Sequence, residues 1–299
     1  MNSSLLSPID SIVHTMEKAL SHWGPYRIVL MYRLHISFLF FAMAMVHFSY
    51  QANIQGYGPV IAFSFWHLAL YIFNRFTDMQ EDSRNTPSEA LDQKQARLSL
   101  FLTGFLLLAG IITLYISEKT LIYYILSVPF AFLYGLKIPF IRYRIKDITY
   151  VKTAYAVFFC WCLPVIFIAL TYSENIQQYQ DLTKFLFLLF FFTTCYELLA
   201  DIKDIPGDTE YSVNTIAVKY GEKATRIMVI LLIAIALFIS NLIYPFISYS
   251  FSMLIIIFSF LVRPNKPAFY FHALIFITTA AVMIYYFINV WPKMSGFFI

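Results

Sequence analysis

Residues 58–82 read GPVIAFSFWHLALYIFNRFTDMQED, an apolar run of bilayer-spanning length that ends in a polar and acidic cluster. About 20 residues of α-helix cross the hydrocarbon core. Within the cluster, Asn74, Asp78 and Asp82 are spaced i, i+4, i+8, which sets them on one stripe of a helix. A second stretch, ELLADIKDIPGD over residues 197–208, repeats the arrangement. Glu197, Asp201 and Asp204 are spaced i, i+4, i+7, and Asp208 follows one turn later. Like charges stacked in this way repel, so each cluster implies something cationic that holds its oxygens together.

Working outward, the rest of the 299-residue chain is of the same kind: 60% hydrophobic and 13% charged, with a mean hydropathy of +0.68. A soluble domain carries roughly 25% charged residues, so the expected class is an all-α, polytopic membrane protein. Apolar stretches of about 20 residues predict about nine transmembrane helices, near 28–50, 58–78, 98–117, 119–137, 152–172, 183–204, 226–245, 247–263 and 267–291. Residues 1–27 lack the basic and apolar regions of a signal peptide and read as an amphipathic, interfacial lead-in. Residues 28–299 read as a single membrane domain. Cys160, Cys162 and Cys195 sit inside apolar spans with no pairing pattern and read as small buried hydrophobes.

Sixteen of the 21 lysines and arginines fall on the side of the membrane that carries the N-terminus and both acidic clusters, and three, Lys119, Lys184 and Lys293, on the other. The positive-inside rule makes the cluster side cytoplasmic. The expected location is therefore a multi-pass protein of the bacterial plasma membrane with its site on the cytoplasmic face. The basic residues border lipid, with no soluble domain behind them, which excludes a nucleic-acid surface. One coarse symmetry stands out: the second and the sixth span each end in an acidic cluster followed by a polar connection. Two related helical halves would give this pattern, each lending a cluster to a shared central cavity that opens near the cytoplasmic face.

Oxygen donors at a helix end favour Mg²⁺, with phosphate completing its shell. An apolar, membrane-buried chamber beside such a site suits a prenyl diphosphate. Mg²⁺ neutralises its diphosphate and improves the leaving group, while aromatic faces steady the allylic cation without quenching it. Phe63, Phe65, Trp66, Tyr71 and Phe73 lead to the first cluster, and Phe191, Phe192 and Tyr196 to the second. Lys137, Arg142, Arg144 and Lys146, in YGLKIPFIRYRIKD after the fourth span, are candidates for the outer diphosphate oxygens, as is Arg33, one turn inside the first span and facing the cavity. Lys203 points off the acidic stripe and reads as a counter-charge. His35, His47, His67 and His272 are scattered single residues and read as helix packing. Asp147 and Glu222 read as surface pairings. Gly-rich phosphate loops, CxxC pairs and Ser-His-Asp patterns are missing, which leaves soluble kinase, redox and hydrolase chemistry without residues.

Asn74-x3-Asp78-x3-Asp82, together with YELLADIKDIPGD and the following NTIAVKYG, resembles the UbiA superfamily of intramembrane prenyltransferases over nearly the whole chain. The resemblance implies nine transmembrane helices and an enzyme that transfers a prenyl group from its diphosphate to a small, aromatic or lipid-soluble acceptor, releasing diphosphate. It implies Mg²⁺ at Asn74, Asp78, Asp82, Asp201, Asp204 and Asp208. Glu197 flanks the second site, and Arg33, Lys137, Arg144 and Lys146 serve the diphosphate. Asp78, Asp82, Asp201, Asp204 and Tyr134 are the expected catalytic groups. Tyr134 to Lys137 resembles the family's tyrosine and basic residue after the fourth helix, and Lys152 falls where many members have a lysine. The family continues its first motif as N-x-P-x-R-P; here Asn85 and Pro87 persist, and Glu89 replaces the arginine. That change leaves open a terpene cyclase of the same superfamily, which needs no acceptor. A transporter would hold its carboxylates near the midplane in broken helices, whereas both clusters lie at helix ends on one side.

Overall fold

In a computed structural model, residues 7–50, 57–115, 118–137, 143–172, 176–240, 245–264, 266 and 268–292 are described, and among them the chain is helical, with one isolated β-bridge between Lys137 and Arg144. The helices are α1 (Ser7–His22), α2 (Gly24–Met31), α3 (Leu34–Tyr50), α4 (Gly58–Thr77), α5 (Met79–Asn85), α6 (Gln93–Leu114), α7 (Glu118–Leu133), α8 (Val151–Tyr155), α9 (Leu163–Tyr172), α10 (Ile176–Glu210), α11 (Ile216–Ser240), α12 (Pro245–Leu261) and α13 (Phe269–Tyr285). Short 3₁₀ turns lie at Pro87–Glu89 and Ile145–Asp147, and a π-helical stretch, Ala156–Cys162, joins α8 to α9.

Each of the nine apolar segments expected from the sequence overlaps a helix among the described residues. Four helical stretches are long and apolar enough to cross a membrane: Gln93–Leu114, Val151–Thr171, Ile176–Glu210 and Phe269–Val290. The count becomes five if α2 and α3, bent by 70° at their junction, form one broken span. Of the others, α12 has 17 residues, α7 has 16 with Pro129 near its end, and α11 is interrupted at Gly221, ahead of its apolar part, where a φ of 82° would strain a side chain.

The first expected span, 28–50, departs most from a straight helix. It breaks at Arg33, which holds a φ of 56°, an uncommon conformation for a residue with a Cβ. Elsewhere local signals agree with the outcome: Asp92 and Gln95 form a reciprocal capping box that starts α6, with Gln95 N donating to Asp92 Oδ1 at 2.8 Å and Asp92 N to Gln95 Oε1 at 2.9 Å.

α4 packs most extensively on α6, and α10 on α11. These are the two hairpins whose connections follow the two acidic clusters, as the coarse symmetry of the sequence requires. Leu39, Phe40, Phe63, Trp66, Phe192, Leu199 and Phe251, from α3, α4, α10 and α12, are buried in one core. Phe101, Phe105, Leu108 and Ile112 of α6 and Ile227, Leu231 and Phe238 of α11 point outward, large apolar surfaces suited to lipid. At the start of the chain, α1 is tied to the α12–α13 connection: Lys266 and Tyr270 bind Asp10, and Phe269 N donates to Glu17 Oε1 at 3.3 Å.

Two glycines of α6 give a direct test of this packing. A Cβ on Gly110 would fall 2.1 Å from Tyr124 Oη, whereas one on Gly104 meets nothing within 4 Å. Gly110→Ala is expected to lower thermal stability in detergent by an overpacking cost of about 1–3 kcal/mol. Gly104→Ala, with its better helix propensity, should hold or raise the melting temperature. Equal melting temperatures for the two variants would contradict the α6–α7 contact.

Candidate active site

The last turn of α4 and the short α5 carry the first cluster. α4 ends at Asp78 (φ −105°, ψ 10°), and the chain restarts as α5, so Asp78, Glu81 and Asp82 fan around one corner. Thr77 Oγ1 donates to Asn74 O at 2.9 Å and lies 3.0 Å from Asp78 Oδ1. The second cluster lies on the C-terminal third of α10. Both face one cavity of ≈ 130 Å³, lined on its acidic side by Asp78, Glu81, Asp82, Asp201, Asp204 and Asp208. Glu197, Tyr71, Tyr134, Cys160, Trp161 and Tyr196 also line it.

Two contacts tie the clusters together, one to the backbone of α10 and one between exposed side chains. Gly207 N, in α10, donates to Asn85 Oδ1 at 2.7 Å, and Arg84 Nε lies 3.0 Å from Glu210 Oε2. A Cβ at position 207 would meet Asn85 Oδ1 at 2.4 Å, so the close approach depends on glycine.

Six of the seven lining carboxylates are ion-paired with a lysine or arginine. Lys146, buried on the Ile145–Asp147 turn, reaches Asp78 Oδ1 and lies 2.6 Å from Glu81 Oε2. Arg144 Nη2 lies 2.6 Å from Glu81 Oε1 and 2.7 Å from Asp147 Oδ1. Arg75, buried in α4, pairs with Asp82. Lys152 Nζ lies 2.7 Å from Asp201 Oδ1 and 3.6 Å from Asp208 Oδ2, and Lys203 pairs with Asp204. Burial pushes the Asp82 carboxyl up to about 6 even with the Arg75 guanidinium beside it.

A second charged network sits behind the cavity. Arg33 Nη1 donates to Glu89 Oε2 at 2.8 Å, and His272 Nε2 lies 2.8 Å from Glu89 Oε1. His35 Nε2 in turn lies 3.0 Å from His272 Nδ1. Arg75 donates to Glu89 O and, at 3.2 Å, to Met31 O. The 3₁₀ turn after α5 is thereby bolted to the break between α2 and α3. Although burial pushes the Glu89 carboxyl up, His272 and Arg33 together hold it well below its ordinary value.

Of the site residues expected from sequence, the cavity brings together Arg33, Asn74, Asp78, Asp82, Tyr134, Lys146, Glu197, Asp201, Asp204 and Asp208. Arg144 stands behind Glu81 and Asp78, 3.8 Å from Asp78 Oδ1, and is not itself in the lining. Lys137 is exposed, bridged through its backbone to Arg144, and also lies outside the lining. Arg142 lies outside the described residues. Among the expected aromatics, Tyr71 and Tyr196 reach the cavity, while Phe63, Trp66, Phe73 and Phe192 are packed in the interior. His35 and His272 are more than packing residues: they join across 237 positions in the Glu89 network, a pairing that local spacing cannot reveal. Sequence reading also missed Arg75 and Glu81. The signal was present, since Arg75 lies seven residues before Asp82, two turns along the same face.

The donor set was tested against Mg²⁺. Asn74 Oδ1 and Asp201 Oδ2 are buried oxygens without a hydrogen-bond partner, and Asp208 Oδ2 has only the 3.6 Å approach of Lys152. Among the described residues no three His, Cys, Asp or Glu side chains are grouped closely enough to hold an ion alone. Mg²⁺ characteristically takes one or two carboxylates and completes its octahedron with water and substrate phosphate, so hard, orphaned oxygens without a closed cage fit that ion.

Comparison with known proteins agrees with this geometry. The UbiA prenyltransferase family matches residues 36–293. A UbiA homologue from Archaeoglobus fulgidus, solved with DMAPP and Mg²⁺, has a TM-score of 0.61 at 16% identity, covering 87% of this chain and 97% of that one. The apo structure of a UbiA homologue from Aeropyrum pernix K1 gives 0.57 at 14% identity, covering 83% and 97%. At such identities the likeness is one of fold. A digeranylgeranylglyceryl phosphate synthase of Sulfolobus acidocaldarius is 46% identical over 56 residues, which spans 19% of this chain and 20% of that relative.

The Glu89 network yields a prediction with a defined sign. A carboxyl held below its ordinary 4.5 contributes stability that is present above that value and is lost as pH falls through the folded-state value. Glu89→Gln leaves Arg33 buried without its counter-charge and is expected to cost about 3–5 kcal/mol. Thermal unfolding in detergent from pH 7 downward should show a shallower acid limb in the variant than in the wild type. Superimposable limbs would mean that Glu89 is not ionised in this network.

Proposed function

The chain belongs to the UbiA prenyltransferase family, and we propose that it ionises a prenyl diphosphate with the help of Mg²⁺ and passes the prenyl group to a small acceptor, releasing diphosphate. The observation that carries this reading is the meeting of Asn74, Asp78, Asp82, Asp201, Asp204 and Asp208 around one cavity whose other wall is aromatic. Homologues of this fold have been solved with DMAPP or GPP and Mg²⁺, which supports the same substrate class here. We further assign residues 28–299 to one membrane domain of nine spans, with the cavity opening on the cytoplasmic side of the plasma membrane.

In this proposal Asn74, Asp78 and Asp82 would hold one Mg²⁺, and Asp201 and Asp204 the other, with Asp208 flanking it. When bound there, Mg²⁺ neutralises the diphosphate and improves it as a leaving group. Lys146, Lys152 and Arg33, all in the cavity lining, supply donors for the remaining diphosphate oxygens, with Arg144 orienting Glu81 behind them. Lys137, exposed and outside the lining, has no part in it. Tyr71, Tyr134, Trp161 and Tyr196 line the path of the prenyl chain, where their faces stabilise the allylic cation by about 0.5–2 kcal/mol each. The same aromatic wall favours the second reading, cyclisation without an acceptor.

The test is Mg²⁺-dependent diphosphate release by detergent-purified protein from geranyl, farnesyl and geranylgeranyl diphosphates, with products identified by mass spectrometry. Turnover that depends on an added acceptor is the expected result, and a cyclised hydrocarbon formed without one would establish the second reading. Asp78→Ala and Asp201→Ala should each abolish release, as should a chelator. Undiminished release in either variant would remove the corresponding Mg²⁺ site.

A further inference from the structure

Glu197 differs from every other carboxylate in the cavity. Asp78, Glu81, Asp82, Asp201, Asp204 and Asp208 are each ion-paired with a lysine or arginine of the chain, and Glu197 has no such ion pair among the described residues. It lies four residues before Asp201 on the same stripe of α10, about 6 Å deeper along the axis at 1.5 Å per residue. It shares the cavity lining with Cys160, Trp161 and Tyr71. The Tyr71 hydroxyl accepts from Trp161 Nε1 at 3.3 Å and shares the cavity lining with Glu197. A carboxylate without a counter-ion among rings is costly in a membrane interior. Its partial exposure is to the cavity itself, where a bound molecule would meet it.

We propose that Glu197, which flanks the Mg²⁺ set without belonging to it, is the general base that receives the proton lost by a hydroxyl-bearing acceptor. This rests on the prenyl-transfer reading above. The allylic C–O bond of the prenyl diphosphate breaks, and its electron pair leaves with the diphosphate held at the two clusters. The acceptor's hydroxyl oxygen forms the new C–O bond to the prenyl carbon, and the hydroxyl proton passes to Glu197. The neutral carboxylic acid returns that proton to water once the product has left. Depth supports the division of labour: the diphosphate lies with the Asp201 level of α10, and the carbon it leaves behind lies one turn inward, at the level of Glu197. Tyr71, held by Trp161 in the same lining, acts as a positioning residue for the carboxylate.

The experiment compares wild type, Glu197→Gln, Glu197→Asp and Tyr71→Phe in two arms. The first arm measures Mg²⁺ and inorganic diphosphate binding by calorimetry. The second measures diphosphate release and prenylated product from geranylgeranyl diphosphate with glycerol 1-phosphate, with 4-hydroxybenzoate, and with water alone, across a range of pH. Glu197→Gln is expected to bind Mg²⁺ and diphosphate as the wild type does while losing about 10²-fold or more in product formation, the usual contribution of a general base. Its rate should also lose the rise with pH shown by the wild type. Glu197→Asp should recover part of the rate, and Tyr71→Phe should lower it while keeping the pH profile. Weakened Mg²⁺–diphosphate binding in Glu197→Gln would place the residue in the metal set and overturn the proposal, as would product formation at the wild-type rate. Failure of the wild type to turn over with any nucleophile, water included, would instead overturn the prenyl-transfer reading, and the binding arm would still decide whether Glu197 is a metal ligand.

Discussion

Mutual repulsion among Asp78, Glu81, Asp82, Asp201, Asp204 and Asp208, gathered around one cavity, is the constraint that the rest of the site answers. In a region of low dielectric each unpaired charge would cost several kcal/mol, and the chain meets that cost with its own cations. Lys146 and Arg144 come from the α7–α8 connection, Lys152 from the first turn of α8, Arg75 from α4 and Lys203 from α10 itself. The elements that fold around the clusters are therefore the ones that carry positive charge.

The same logic explains the bend in the first apolar segment. Arg33 would be buried at a heavy cost in a straight helix, and the break that gives it a φ of 56° sends its guanidinium to Glu89. Glu89 occupies a position where the family resemblance implies an arginine. A carboxylate there makes sense only with the two basic side chains that reach it, Arg33 and His272, from opposite ends of the chain. What reads in sequence as a lost cation is in structure the centre of a salt-bridged brace, with Arg75 fastening the backbone on either side of it.

Much of this was legible before any coordinates. Helix-length apolar runs and the i, i+4, i+8 and i, i+4, i+7 spacings located both clusters and the helix ends that bear them, because residue type and helical period alone decide those features. Arg33, Lys146 and Asp208 were also found, by charge within or beside an apolar run. Long-range pairing was not legible: Glu89 with His272 is a contact across 183 positions, and a single sequence carries no periodic signal for it. Lys137 illustrates the opposite error. It sits in the same basic connection as Lys146, but the turn at Ile145–Asp147 buries one lysine and the bridge to Arg144 leaves the other in solvent. Composition cannot separate two lysines nine residues apart when the turn between them determines which one faces inward.

The distance between the clusters is set by backbone, not by charge. Asn85 and Gly207 meet closely enough that a single methyl group would force them apart; Asn85 follows Asp82 by three residues, and Gly207 lies between Asp204 and Asp208. Side-chain ion pairs alone would let two repelling clusters drift, since lysine carries a long, flexible stem. A hydrogen bond from a helical N–H to the side-chain amide that ends α5 fixes the spacing at the cost of one glycine within α10. Carboxylates held at a set spacing reduce the ordering that a multiply charged ligand would otherwise have to impose.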